Sequence, residues 1–407
     1  MGPLHGIKVL DLSRILAGPW ATQCLADYGA TVWKVEKPGT GDDTRHWGPP
    51  WLKDRKGAQS QEAAYFASTN RGKQSLAIDF RKASGQRLIR SLALRADVLI
   101  ENFRVGTLAR YRLGHESLQG MNPRLVYCAI SAFGQDGPAA AEPGYDAMIQ
   151  GMSGLMSVTG LPDGVPGAGP VKVGVAVSDL ITGLYAVNAI TAALYERELS
   201  GRGQFIDLAL LDTQIAALAN QSLNYLVTGR PPGRRGTAHP SIVPYQAFAT
   251  RDGHLMLAVG NDRQFAAFCK AAERPGLARD QRYRKNSARV ENRASLIPEL
   301  EKLCRQRTTK GWLKSLTKAR VPCGPINDLA QVFKEPQVQH RKLRFDLPHA
   351  LGRKVPQVRN PVIFSRNSLN YRDAPPLLGQ HTESVLRAEL GLTADEILSL
   401  KADGAIT

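Results

Sequence analysis

An α/β fold built on a doubly wound parallel sheet is predicted by three features. Short, mainly apolar runs recur along the N-terminal third, at residues 7–12, 31–36, 75–80, 97–101 and 125–131. Stretches with helical spacing lie between them, for instance 20–27 and 85–95. Strands without polar alternation are covered on both faces, and strands that alternate with helices pair in parallel through crossovers. Finally, 407 residues at 43% hydrophobic and 22% charged content suffice for a large core and two or three domains. That composition excludes disordered, collagen-like and disulfide-scaffold classes.

Taken in order, the chain opens with MGPLHGIKVLDLS, which runs into a strand by about Ile7 and leaves no room for a signal or transit peptide. The first strand-to-helix turn, Ser13 to Pro19, reads SRILAGP and not G-x-G-x-x-G, so the dinucleotide fingerprint is missing where it would sit. A turn before a helix N-terminus still suits phosphate, with an ordinary connection as the equal alternative. Residues 160–169 (GLPDGVPGAG) read as a loop. Residues 173–195 carry a single formal charge, Asp179, over 23 positions. That length would span a bilayer, but an intramembrane Asp is costly and Arg197, Glu198 and Arg202 follow at once, so a buried helix is expected. Ser178 is its expected N-cap and Gly201 its C′ residue. A strand-like 205–211 follows, and 228–240 (TGRPPGRRGTAHP) reads as a linker or functional loop. Runs 245–250 and 254–259 flank Arg251-Asp252-Gly253 as a hairpin, with helices from about Arg263 to Pro325. Residues 225–325 thus read as a smaller second domain. The tail from about Asn327 returns to extended segments and ends in two helices, the last opened by a capping box from Thr393 to Glu396.

The balance of 53 Lys and Arg against 36 Asp and Glu gives a net charge of +17, which suits an anionic partner: nucleic acid, lipid surface or phosphorylated small molecule. Lys and Arg are spread evenly, without basic–aromatic interleaving or a recognised binding module, so no nucleic acid and no membrane partner is expected. Basic residues recur near strand ends, at Lys34, Lys37, Arg45, Arg71, Lys73, Arg104 and Arg110. Open α/β sheets bind ligands outside the carboxyl ends of their strands, so this group is a candidate phosphate site, with a solvated basic face as the alternative. The cysteines, Cys24, Cys128, Cys269, Cys304 and Cys323, are odd in number and form no C-x-x-C, which points to a reducing, cytoplasmic setting. Eight scattered His offer no H-x-x-x-H or H-E-x-x-H, and no metal is expected. Neither G-x-S-x-G nor a P-loop occurs. Asp179 is the chemical candidate. It is the one charge at the head of an apolar helix, where the dipole favours ionisation, and a partly desolvated carboxylate is a nucleophile or base. Helix capping is the competing role. Gly260-Asn261-Asp262 follows a strand and opens a helix, as a plain turn or a mobile loop at a site.

These residues carry a resemblance. DLSRILAGPWATQCLADYGATVWKVEKPGTGDDTR, NRGKQSLAIDF, ENFRVGTLARYRLG, NPRLVYCAISAFGQDGP, GYDAMIQGMSGLMSVTG and VGVAVSDLITGLYAVNAITAALYERELSGRGQFIDLALLD resemble the class III (formyl-CoA transferase/carnitine CoA-transferase type) coenzyme A transferases, in order along nearly the whole chain. GDDTRHWGPP, GTAHPSIVPYQAF, GNDRQFAAFCK, VPCGPINDLAQVFKEPQVQH and PPLLGQHT look most like the succinyl-CoA:glutarate CoA-transferase branch. The resemblance implies a Rossmann-like large domain built from both chain ends (1–224 and 326–407), a small α/β domain (225–325) and an interlocked homodimer. It implies acyl-CoA and carboxylate substrates, coenzyme A as co-substrate and no tightly bound cofactor.

The family nucleophile matches Asp179 in VSDLITG. It implies attack on an acyl-CoA thioester, an aspartyl anhydride and then an aspartyl-CoA thioester. CoA contacts map onto Ile15, Ala17, Lys37, Lys73, Asn102, Phe103 and Arg110, with Lys37 and Lys73 toward phosphates and Phe103 near the adenine. Tyr145, Asp146, Gly260 and Asn261 fall at substrate positions, and Arg45, Arg234, Arg235 and His239 are candidates for a distal carboxylate. Two departures speak against formyl or oxalyl specificity: Leu16 replaces a glutamine of the first turn, and GNDRQ replaces a glycine-rich lid. Racemases of this fold use a histidine where this chain has Tyr145, which disfavours 2-methylacyl-CoA racemisation although Asp146 and Asp179 are kept. A nicotinamide-dependent oxidoreductase is disfavoured by the missing glycines.

Overall fold

The computed structural model describes residues 1–407. Six strands form the central sheet: β1 (Lys8–Asp11), β2 (Thr31–Glu36), β3 (Lys73–Ala77), β4 (Val98–Glu101), β5 (Val126–Ser131) and β6 (Phe205–Ala209). They lie in the order β3-β2-β1-β4-β5-β6, and every pairing is parallel. The strand order reverses between β1 and β4, and the crevice outside the carboxyl ends there is where such sheets bind ligands. Two strands differ from expectation. The one placed at 75–80 pairs two residues earlier, and Ile78 makes only an isolated bridge to Ile406. The one placed at 205–211 ends at Ala209, because Leu210 already begins a helix.

Five helices position the site: α1 (Ala17–Asp27), α2 (Ala83–Ala93), α3 (Asp146–Met152), α4 (Val177–Ser200) and α5 (Leu210–Ala217). Successive strand residues point to opposite faces, and both faces are covered. Val9, Val32, Val98 and Val126 pack with Ala21 and Leu25 of α1 and Ala186 and Ile190 of α4. Leu10, Trp33, Leu76 and Leu99 pack with Leu88, Ile89 and Leu92 of α2, and with Val385, Leu386 and Ile397 from the tail helices Thr382–Leu390 and Ala394–Ala402. Each fully buried Leu, Val or Ile contributes about 1.5–3 kcal/mol. The last helix opens on the expected capping box of Thr393 and Glu396.

By length and composition α4 is apolar enough to cross a membrane, yet it buries Ser178, Thr182, Gly183, Ala186, Ile190, Ala193, Leu194 and Arg197 within the protein. Its start differs from expectation. Ala176 is the N-cap, and Ser178 lies inside the first turn with its hydroxyl donating to Gln214 Oε1 at 2.8 Å. Its C-terminus is as expected, with Gly201 left-handed at φ 76°.

The chain divides into two units, Met1–Met156 with Lys172–Arg230 and Gln339–Thr407, and Ser157–Val171 with Pro231–Val338. The second unit carries an antiparallel sheet of β7 (Tyr245–Ala249), β8 (His254–Ala258) and β9 (Cys323–Pro325), ordered β9-β8-β7. The β7–β8 hairpin lies where the sequence puts it; β9 is an addition. Phe265, Phe268, Leu300 and Trp312 centre its core. The Gly/Pro loop at 160–169 belongs here, tied by the Gly236 N–H to Gly160 O at 2.9 Å.

Gly183 sets the approach of α4 to the start of α1. A Cβ there would lie 2.7 Å from Ala17 O and 3.0 Å from Trp20 Cδ1. Gly183→Ala gains about 1 kcal/mol of helix propensity but overpacks backbone, at about 1–3 kcal/mol. Urea unfolding is expected to show a net loss of stability; an unchanged or raised midpoint would show that α1 yields without cost.

Candidate active site

At the β1/β4 reversal two loops are clamped together. The Arg14 N–H donates to Asn102 Oδ1 at 2.8 Å, and Asn102 Nδ2 donates to Arg14 O at 2.7 Å. The Arg14 guanidinium lies 5.1 Å from the centre of the Phe103 ring and 2.9 Å from Asp43 Oδ2. Arg14 and Phe103 form a partition, since both line two neighbouring cavities of about 240 and 250 Å³.

The first cavity is lined by Lys37, Thr40, Asp43, Phe80, Arg81 and Phe103 over a floor that includes Lys34, Glu36 and Asp42. Phe80 and Phe103 meet edge to face at 5.4 Å. Aromatic faces beside Lys37 and Arg81 suit a heteroaromatic base carrying phosphates. Arg81, held by Asp79 at 2.9 and 2.7 Å, is a position the sequence reading passes over. Its signal was there: Asp79-Phe80-Arg81 lie just beyond the carboxyl end of β3.

Two expected site residues are elsewhere engaged. Lys73 does not face the crevice. It is buried, and its ammonium donates to Asn70 Oδ1 at 2.8 Å, Pro19 O at 3.0 Å and Asp11 Oδ2 at 3.2 Å. Arg45 is not free for a substrate carboxylate. It grips Glu36 at 2.8 and 2.9 Å, Glu62 at 2.8 Å and Pro376 O at 3.1 Å. Both lie at the inner ends of chain segments whose basic residues are interior ion-pair partners, which spacing alone does not reveal. Arg71 likewise pairs with Asp27. Arg110 is exposed on the turn Ala109–Tyr111 and lines neither cavity.

The second cavity gathers Ile15, Leu16, Ala17, Asn102, Phe103, Arg104, Tyr145 and Asp179. Asp179 stands in the first turn of α4 and makes no hydrogen bond within the protein, so the capping role does not apply. Its neighbours are anchored instead. The Ser178 N–H donates to Asp146 Oδ1 at 2.8 Å, and Thr182 Oγ1 meets Thr213 Oγ1 at 2.6 Å. Asp146 therefore lies behind the cavity and caps α4 from α3, with Gln150 Nε2 donating to its other oxygen at 2.8 Å. Tyr145, the exposed N-cap of α3, lines the cavity itself. Burial pushes the Asp179 carboxyl up to about 7, and the Asp146 charge adds to the rise. Desolvation thus outweighs the helix dipole.

The remaining expected residues lie in the second unit. Asn261 Oδ1 accepts from the Gln264 N–H at 2.9 Å, and the Gly260 N–H donates to Gln264 Oε1 at 2.8 Å, a reciprocal cap on helix Asp262–Ala271. His239 Nδ1 accepts from the Ser241 N–H at 3.0 Å. Arg234 pairs with Asp163, and Arg235 is exposed.

Asp179 carries a stability signature. Its folded-state value lies above the ordinary 3.8, so ionisation costs the folded protein. The cost is absent below about pH 4 and complete above about pH 7. Asp179→Asn is therefore expected to stabilise by about 1–3 kcal/mol at pH 8, and the gain shrinks toward zero as pH falls to about 4. Urea titrations at both pH values check this; an equal effect at both would contradict the raised carboxyl.

Comparison with known proteins gives the family. The profile of CoA-transferase family III matches residues 4–382. A succinate–glutarate CoA-transferase of Agrobacterium fabrum is 50% identical over 392 residues, covering 95% of this chain and 96% of that protein. A succinyl-CoA:glutarate CoA-transferase of Mus musculus is 43% identical over 406 residues, covering 100% and 91%. The crystal structure of a CAIB/BAIF family protein from Brucella suis superposes with a TM-score of 0.84 at 47% identity, covering 96% of this chain and 99% of that one. The chain belongs to CoA-transferase family III and is a CoA-transferase.

Proposed function

We propose that this enzyme moves coenzyme A from succinyl-CoA to glutarate or a similar dicarboxylate, with Asp179 as the nucleophile. The observation that carries the reading is a partly buried carboxylate with no internal partner, opening on a cavity beside a base-and-phosphate-shaped one. The names of the Agrobacterium and mouse relatives support the substrates.

An Asp179 oxygen attacks the thioester carbonyl and expels CoA thiolate, leaving an aspartyl–succinyl anhydride. The thiolate attacks the aspartyl carbonyl and expels succinate, leaving an aspartyl-CoA thioester. Glutarate attacks that carbonyl and expels thiolate, and thiolate then takes the glutaryl group and frees Asp179. Atoms and charge balance without water. A carboxylate made more basic by desolvation is the better nucleophile, and covalent catalysis splits one hard transfer into easier steps. The first cavity, with Lys37, Arg81, Phe80 and Phe103, takes the nucleotide end, and Ile15, Ala17 and Asn102 border the path to Asp179. Arg104 lines the Asp179 cavity without an internal ion pair and replaces Arg45 as the candidate for the distal carboxylate. Racemisation has no comparable support, with Tyr145 at the position of the acid/base histidine.

The active form is proposed to be a homodimer, interlocked as the family resemblance implies. Leu184, Tyr185, Tyr195 and Leu199 stay exposed along α4, an apolar row suited to a second copy. Light scattering is expected to give twice the 44.3 kDa chain mass; a monomer would overturn this.

Intact-protein mass spectrometry after mixing with succinyl-CoA is expected to show a hydroxylamine-sensitive adduct in wild type and none in Asp179→Ala, with turnover reduced by at least ~10⁴-fold. With free enzyme, kcat/KM is expected to rise with pH through about 7 as Asp179 ionises. Retained transfer in Asp179→Ala would remove Asp179 from the reaction.

A further inference from the structure

Ile15 is a β-branched residue held at φ 70°, in the left-handed region that such side chains avoid. It lines the Asp179 cavity. Something must hold it there, and the structure shows what does. The Ile15 N–H points at Asp42, 3.2 Å from both carboxylate oxygens. Asp42 is 1% exposed and is fixed in turn by Lys34 Nζ at 2.9 Å and by Thr44, through its N–H at 3.0 Å and its hydroxyl at 2.8 Å. The same Lys34 ammonium, fully buried, donates to Ser13 O at 3.0 Å. One ion pair therefore grips the backbone on both sides of Arg14, at the Ser13 carbonyl and the Ile15 N–H.

The pair also reaches further. Lys34 and Asp42 lie in the floor of the first cavity, while Ile15 lies in the wall of the second. Backbone strain persists only where the surroundings over-determine it, and at functional sites it fixes a shape the reaction needs. We propose that Asp42, braced by Lys34, is a positioning residue: it holds Ile15 in its strained conformation and so shapes the wall facing Asp179 from beneath the nucleotide cavity. This rests on the reading that the second cavity is where transfer occurs.

Three simpler roles make different predictions. A purely structural Asp42 would cost stability alone. A nucleotide-contacting Asp42 would cost CoA affinity. A cap for the short helix Asp43–His46, which Asp42 also provides, would be indifferent to residue 15. Glycine adopts a positive φ freely, so the strain argument requires that the penalty for losing Asp42 depend on Ile15.

The test is a double-mutant cycle of Asp42→Ala and Ile15→Gly, read on overall CoA transfer and on CoA affinity by calorimetry. Asp42→Ala alone is expected to lower kcat by at least about tenfold while CoA affinity changes by less than about threefold. In the Ile15→Gly background the same change is expected to cost at least about fivefold less. If Asp42→Ala does not fold, Asp42→Asn, which keeps one oxygen acceptor, completes the cycle. Additive losses, a loss confined to CoA affinity or an unchanged kcat would each overturn the proposal. The cycle reads overall transfer, so additivity says nothing against Asp179 as nucleophile. Asp179 stands or falls on the separate Asp179→Ala adduct.

Discussion

Four charges taken out of water together fix the turn on which the site is built. Asp11, Lys34, Asp42 and Lys73 are each no more than 1% exposed. Burying an ion costs several kcal/mol even after relaxation, and pairing offsets this only when every donor and acceptor is used. Here they are. Asp11 accepts from the Ser13 N–H at 2.9 Å, the Ser13 hydroxyl and the Thr22 hydroxyl at 2.6 Å, as well as from Lys73. Two anions and two cations leave no net charge inside. Most of their remaining bonds end on the segment from Ser13 to Thr22, so what the network secures is the shape of one turn more than the stability of the whole. A turn without the glycines of a dinucleotide fingerprint can then carry a left-handed isoleucine.

The same residue type behaves in opposite ways at different places around the site. Burial works to raise Asp42, but Lys34 and the Thr44 N–H outweigh it and hold the carboxyl below its ordinary value. Burial likewise works against Asp11, and Lys73 and Lys34 overcome it. Asp179 has neither a cation nor a donor, and burial carries it up to about 7 with Asp146 adding to the rise. Environments that push like groups apart separate structural carboxylates from reactive ones. Hydrogen bonds go to Ser178 and Thr182, on either side of Asp179, and leave the Asp179 oxygens without an internal partner, which suits the proposed nucleophile.

Much of this was legible in the sequence, and the failures share a cause. The strand 31–36 stands where its apolar run puts it, as does the β7–β8 hairpin, because strand propensity and turn chemistry are local. Asp179, the proposed nucleophile, stands out in the sequence as a lone charge heading an apolar run. Ser178 as a cap, Lys73 at a phosphate and Arg45 at a carboxylate fail because each depends on what lies across the fold. Ser178 is claimed by Gln214, Lys73 by Asp11 and Asn70, and Arg45 by Glu36, Glu62 and the tail at Pro376. Residue type and position along a strand do not distinguish an interior ion pair from a ligand contact. Arg81 shows the converse: four residues past the end of β3, it sits where the topological rule directs attention.

The net charge of +17 does not come from the buried cations, whose carboxylate partners cancel them in the balance. Lys34, Arg45, Arg71 and Lys73 spend their charge on internal carboxylates. Other cations line the two cavities, namely Arg14, Lys37, Arg81 and Arg104. Two of these are engaged, Arg14 with Asp43 and Arg81 with Asp79, and both guanidiniums are about half exposed, at 45% and 59%. Exposed pairs of this kind are screened by water and contribute little, so exchanging the carboxylate for a ligand phosphate costs little. Buried pairs set the frame, and in the proposed function the exposed pairs are the ones a phosphorylated substrate displaces.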